Sequence, residues 1–124
     1  MSQLSFPAGL IRGVPVVSAP ARLDAANAHL FQAAAARWAA YGYATLVLDM
    51  TATRICDPAA FKVMLQAHRR AQAEGGELRI VLRPALRLLS PASHDGLIPQ
   101  YTSVADAVAE LPAVAIEPTR RLTA

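Results

Sequence analysis

The chain has 124 residues, 54% hydrophobic and 17% charged, which suits one domain with an ordinary core and excludes a disordered polypeptide. No apolar run approaches the roughly 20 residues of a membrane-spanning helix, and the start, Met1 to Pro7, lacks the basic and apolar regions of a secretory signal. The net charge of +3 rests on scattered arginines without interleaved aromatics, which argues against a nucleic-acid interface, and the lone Cys56 rules out an internal disulfide and suits a reducing cytoplasm.

Residues 1–13 read as a leader or edge strand, with Leu10-Ile11-Arg12 extended before Gly13. Val14 to Ser18 is β-branched but carries Pro15, so it reads as a second edge strand. Asp24 is a good N-cap for an Ala-rich helix over 25–40, with Ala26, Leu30, Ala34 and Trp38 on its inner face and Tyr41-Gly42 at its end. Leu46 to Asp49 is a short apolar run and reads as a buried strand.

The polar connection Thr51 to Cys56 leads to Asp57-Pro58, a strong helix start. The Asp57 carboxylate can accept a hydrogen bond from a free N–H of the first turn. Pro58 has no N–H to lose and its φ is already helical. Phe61, Met64, Leu65 and His68 mark the inner face of a helix over 58–74, which Gly75-Gly76 stops. A strand thus delivers the chain to a helix N-terminus, where free N–H groups favour negative charge, and any site is expected at Asp57.

Leu78 to Leu82 is another strand. Pro84 restarts a short helix through Leu89, and Ser93 to Gly96 is a turn. Leu97 to Tyr101 is a short strand that Pro99 assigns to an edge. Ser103 caps a last helix with Val104, Ala107, Val108 and Leu111 inward, ended by Pro112. Residues 112–124 read as a mobile tail. Strands alternating with helices predict an α/β domain on a largely parallel sheet with right-handed crossovers.

Several segments, in order and with the right spacing, resemble the STAS domain, the fold of bacterial anti-sigma factor antagonists. Ala21-Arg22-Leu23-Asp24 is similar to that family's entry to its first helix. Val47-Leu48-Asp49-Met50-Thr51 with Ile55-Cys56-Asp57 is similar to its central strand and Asp-Ser helix start. Ala67-His68-Arg69-Arg70-Ala71 with Gly75-Gly76-Glu77-Leu78-Arg79-Ile80-Val81 is similar to its helix end, glycine turn and next strand. Gly96-Leu97 with Ser103 and Ala107 is similar to its last strand and helix.

The resemblance covers about residues 14–111. It implies a STAS-like single domain, with a mixed, mostly parallel sheet of four to five strands and about four helices. It also implies a non-enzymatic cytoplasmic regulator of transcription. Its partner would be an anti-sigma factor or a related ATP-binding regulatory protein, held through Asp24, Asp57, Pro58, Ala59 and Lys62, with the chain a monomer or homodimer. In the family a kinase phosphorylates the Ser after the helix-start Asp and so dissolves the complex, since a phosphate adds roughly −1.5 to −2 charges at the interface. Here that position is Pro58, which has no hydroxyl, and Ala60 and Lys62 stand where Gly is common. The usual switch is therefore expected to be absent, with Thr51 and Thr53 as alternative hydroxyls. The same fold also serves as an accessory domain of transporters, or as a small-ligand or lipid module.

The bland readings sit beside these. Asp57 and Asp24 can be helix caps alone, a role worth about 1 kcal/mol. Asp49 could join them on one rim, but no lysine accompanies the three carboxylates as a metal-assisted phosphoryl site would require, and no metal is expected. His29, His68 and His94 lie in separate elements without ligand spacing, and His68 reads as structural. Cys56 reads as an inert thiol. Neither a nucleophile elbow nor a phosphate-binding Gly-Lys loop occurs, so no catalytic residues and no cofactor are expected.

Overall fold

A computed structural model describes residues 6–83 and 98–109. Arg12 and Gly13 take left-handed φ values of 54° and 81° and close a two-residue hairpin. It joins β1 (Ala8–Ile11) to β2 (Val14–Ser18), paired antiparallel with Leu10 opposite Pro15 and Ile11 opposite Val14. β2 also pairs, in parallel, with β4 (Leu46–Met50), so it is an interior strand and not the edge that Pro15 suggested. Its first bonds to β4 come after Pro15, whose missing N–H therefore falls outside the ladder.

β6 (Leu78–Leu82) continues the sheet on β4, and β7 (Gln100–Tyr101) closes it, giving the order β1-β2-β4-β6-β7. All pairings but the first are parallel. β7 is an edge, as Pro99 suggested, although it is shorter than the expected strand over 97–101.

Alternation along the strands builds two apolar layers. On one face Val17, Leu46, Leu48, Met50, Leu78, Ile80 and Leu82 pack against α1 (Ala28–Ala40) and α2 (Pro58–Ala73). On the other, Val14, Val16, Val47 and Val81 meet Ala107 and Val108 of α3 (residues 104–109). Ser103 caps α3 as expected, its Oγ accepting from the Asp106 N–H at 3.1 Å. The described residues hold three helices. The fourth, expected over Pro84 to Leu89, lies outside them, as do the Ser93 to Gly96 turn, Leu111 and residues 112–124.

α1 begins later than Asp24 suggested. The Asp24 Oδ1 accepts from the Ala26 N–H, while the Asn27 Oδ1 accepts from the Asp24 N–H, both at 3.0 Å. These two bonds make residues 25–27 a turn, and the helix starts at Ala28. Its buried face is Ala28, Phe31 and Ala34, with Leu30 and Trp38 at the margin and Ala26 exposed.

α2 starts as expected, with Asp57 Oδ1 accepting from the Ala60 N–H at 2.9 Å and Pro58 at the first helical position. Gly75 takes φ 88° after its end. His68, on the inner face, is buried, and its Nδ1 accepts from the Leu78 N–H at 3.1 Å, tying α2 to β6. His68→Leu removes that acceptor and leaves a buried N–H unpaired. Urea denaturation is expected to show a loss of about 1–3 kcal/mol; an unchanged midpoint would mean that Leu78 has another partner.

Among the described residues one charged side chain lies wholly inside. Arg79 of β6 is 0% exposed. Its Nε donates to Glu77 Oε2 at 2.6 Å and its Nη1 to the Ala107 carbonyl at 2.8 Å, with the guanidinium 5.8 Å from the Tyr101 ring centroid. Arg79 thereby fastens α3 to the sheet through its backbone.

Candidate functional site

The stretch before each of the two long helices contains a two-residue strand, and these pair with each other. β3 (Arg22–Leu23) runs parallel to β5 (Ile55–Cys56), Arg22 opposite Ile55 and Leu23 opposite Cys56. The Asp57 N–H continues the ladder by donating to the Leu23 carbonyl at 3.1 Å. Asp24 and Asp57 are the next residues on adjacent strands, with backbones about 5 Å apart. Both expected acids therefore stand on one rim, although 33 residues separate them in the chain.

Neither carboxylate is spent entirely on its cap. Asp57 is partly exposed, and its Oδ1 accepts from the Ala60 N–H. Asp24 Oδ2 lies 3.8 Å from Nε of Arg22, whose side chain is 60% exposed. Pro58, Ala59 and Lys62 are exposed on the first turns of α2. Around them the sequence reading missed Arg22, Arg54 and Ile55. Ile55 is 46% exposed, an apolar point between two arginines and two acids. A large hydrophobic residue in a polar connection was the available signal.

Two other expected members lie elsewhere. Asp49 shares its strand face with Val47, on the α3 side of the sheet, and accepts from the Thr51 N–H and hydroxyl at 3.0 and 2.8 Å. It does not join Asp24 and Asp57, and among the described residues no group of three or more potential ligands could hold a metal ion. Thr53 was expected, with Thr51, as an alternative hydroxyl for phosphorylation. It is instead 0% exposed and donates to the Pro20 carbonyl at 2.8 Å, so a kinase could reach it only if the loop opened. Thr51 is exposed.

Cys56 lies beside Asp57 and is half-buried. Burial, and then the Asp57 charge, push its thiol up to about 11, so it stays protonated and weakly nucleophilic near neutrality. His29 is exposed on α1, and His94 lies outside the described residues. No described helix is long and apolar enough to cross a membrane.

A family model described as the STAS domain matches residues 7–107. The chain belongs to the STAS family. Membership makes it a non-enzymatic domain. Solved structures repeat the STAS fold. A putative anti-sigma factor antagonist of Thermotoga maritima is 23% identical, with a TM-score of 0.69 over 86% of this chain and 94% of that one. An anti-sigma factor antagonist of Mycobacterium paratuberculosis is 22% identical, with a TM-score of 0.74 over 87% and 93%. The anion transporter Slc26a9 of mouse is 20% identical, with a TM-score of 0.62; the match covers 82% of this STAS chain but 18% of the transporter. No curated protein sequence matches the chain.

Proposed function

We propose that this STAS protein is a binding regulator of the anti-sigma factor antagonist type. It would hold a kinase-like, ATP-binding anti-sigma factor against the start of α2 and the rim beside it. The observation that carries this reading is the β3–β5 ladder, which sets Asp24 next to Asp57 and leaves Pro58, Ala59 and Lys62 exposed. Mixed charge around an apolar point suits a protein surface better than a small polar ligand. The solved antagonists that share the fold support the same partner class.

With proline at the position after Asp57, the usual phosphoserine switch has no acceptor. Thr51 is then the hydroxyl that a partner kinase would reach first. Incubation with such a kinase and labelled ATP is expected to leave residue 58 unlabelled, and any label belongs on Thr51.

The test compares two variants in titration calorimetry with the anti-sigma factor encoded by the same genome. Asp57→Asn keeps the cap, since asparagine caps as well as aspartate. Asp57→Lys loses it, at about 1 kcal/mol of stability, and reverses the charge. Binding is expected to fall at least tenfold for Asp57→Lys, beyond its loss of stability, and measurably for Asp57→Asn. Equal loss of binding and stability would reduce Asp57 to a cap.

A second reading has one observation in its favour, the match to 18% of the length of an anion transporter. Co-purification with a transport subunit, and not with an anti-sigma factor, would decide for it.

A further inference from the structure

Among the described residues β1, Ala8-Gly9-Leu10-Ile11, is one of the two edges of the sheet, and all of it is exposed, Leu10 by 50% and Ile11 by 42%. Ala8–Ile11 itself carries no charge, no proline and no bulge, the devices that normally blunt an edge strand, although Pro7 and Arg12 flank it. Beside it runs a groove of about 300 Å³, lined among others by Pro7, Gly9, Ile11, Val16 and Val104.

The hydrogen-bond phase of this edge follows from one contact. The Ser18 N–H donates to the Pro7 carbonyl at 2.8 Å, so Pro7 and Ser18 form a hydrogen-bonded pair. Such pairs alternate along an antiparallel ladder, which turns Gly9 and Ile11 inward to β2 and leaves the N–H and C=O of Ala8 and Leu10 pointing outward.

We infer that a second copy of this chain pairs with the edge, β1 antiparallel to its twofold-related mate and centred on Gly9. In that register Ala8 and Leu10 of each protomer exchange their outward N–H and C=O groups with Leu10 and Ala8 of the other. Paired residues share a sheet face, so Leu10 packs on Ala8, and Ile11 on Pro7, across the axis. The two Gly9 residues meet at the centre. Leu10 meets the small Ala8 on both sides of the axis and glycine meets glycine on it, so the strand fits its own twofold mate without a clash of large side chains.

The contact is small. Five residues a side fall well short of the roughly 1,200 Å² that stable complexes bury. The association is therefore weak, monomeric when dilute and dimeric when concentrated.

The register supplies its own test. The Gly9 residues form a non-hydrogen-bonded pair, with Cα atoms about 4.5 Å apart, within the roughly 4.4–6.8 Å span of a disulfide. A Cβ on Gly9 meets nothing within 4 Å, so cysteine fits there. The full chain carrying Gly9→Cys with Cys56→Ser, held in a glutathione redox buffer, is expected to become a disulfide-linked dimer. The exposed loop control Ala52→Cys with Cys56→Ser stays largely monomeric. Adding Leu10→Lys is expected to lower the Gly9 cross-link on the order of tenfold, since a lysine on the edge opposes pairing. Its circular dichroism should be unchanged. Sedimentation of the unmodified chain should show concentration-dependent dimer. No cross-link at Gly9, equal yields at Gly9 and Ala52, or a chain monomeric at every concentration would overturn the inference; the last result would also follow if the chain's own C-terminal segment or another protein's strand took the edge.

Discussion

Gly76→Ala is expected to keep the chain from its native fold, or to lower its stability by at least about 3 kcal/mol, the upper end of ordinary overpacking. A methyl group on Gly76 would lie 2.1 Å from the Ala44 carbonyl oxygen and 2.3 Å from its carbon. These are backbone atoms at the entrance to β4, and they cannot swing aside as a side chain can. The Leu46 N–H donates to the Glu77 carbonyl at 3.1 Å immediately beyond, so relief of the clash would part β4 from β6 where their ladder begins. Gly75→Ala is the control. Gly75 has open space around it but φ 88°, and an alanine there costs only the left-handed penalty of about 1–2 kcal/mol. Urea denaturation of both variants should rank Gly76 far above Gly75; the reverse order would mean that turn conformation, and not the close approach of Gly76 to Ala44, governs this junction.

Arg79→Met should lower stability by about 3–5 kcal/mol, the usual effect of breaking a buried ion pair from one side. The substitution removes the partner of Glu77 and the donor to the Ala107 carbonyl together. Glu77 is 25% exposed, so water recovers part of the loss and the lower end of the range is expected. The change should also loosen α3, since Nη1 bonds its backbone. Hydrogen exchange of the Val108 amide should accelerate beyond what the global stability loss explains. Retained protection there would show that Val104, Ala107 and Val108 hold α3 by packing alone.

Residues with strong local signals were legible in the sequence. Asp57-Pro58 announces α2, Gly75 ends it, and the apolar runs at 46 and 78 are the two central strands. Pro15 misled because the strand rule for proline concerns donors, and this donor falls one position before the ladder starts. Asp24 misled because Asn27, three residues on, competes for the same turn. The β3–β5 pairing was invisible, since two residues carry no periodicity. Its consequence, Asp24 beside Asp57, came through the family resemblance and not through the residues alone. Arg79 was read only as a member of its strand and one of the scattered arginines, yet its place between Leu78 and Ile80, with Glu77 on the same strand face, marks a paired charge inside a doubly covered strand. The burial of Thr53 was not legible because its acceptor, the Pro20 carbonyl, lies 33 residues away.

The β3–β5 ladder has a mechanical consequence. It laces the approach to α1 to the approach to α2 through backbone bonds, with Arg54 and Ile55 N–H groups also donating to the Ala21 carbonyl. A molecule landing on that rim meets a shape already set, with little ordering entropy left to lose on contact. Tightness there would be governed by how slowly the visitor departs, and a substitution that frays the lacing, even one buried beneath it, would be felt as faster departure.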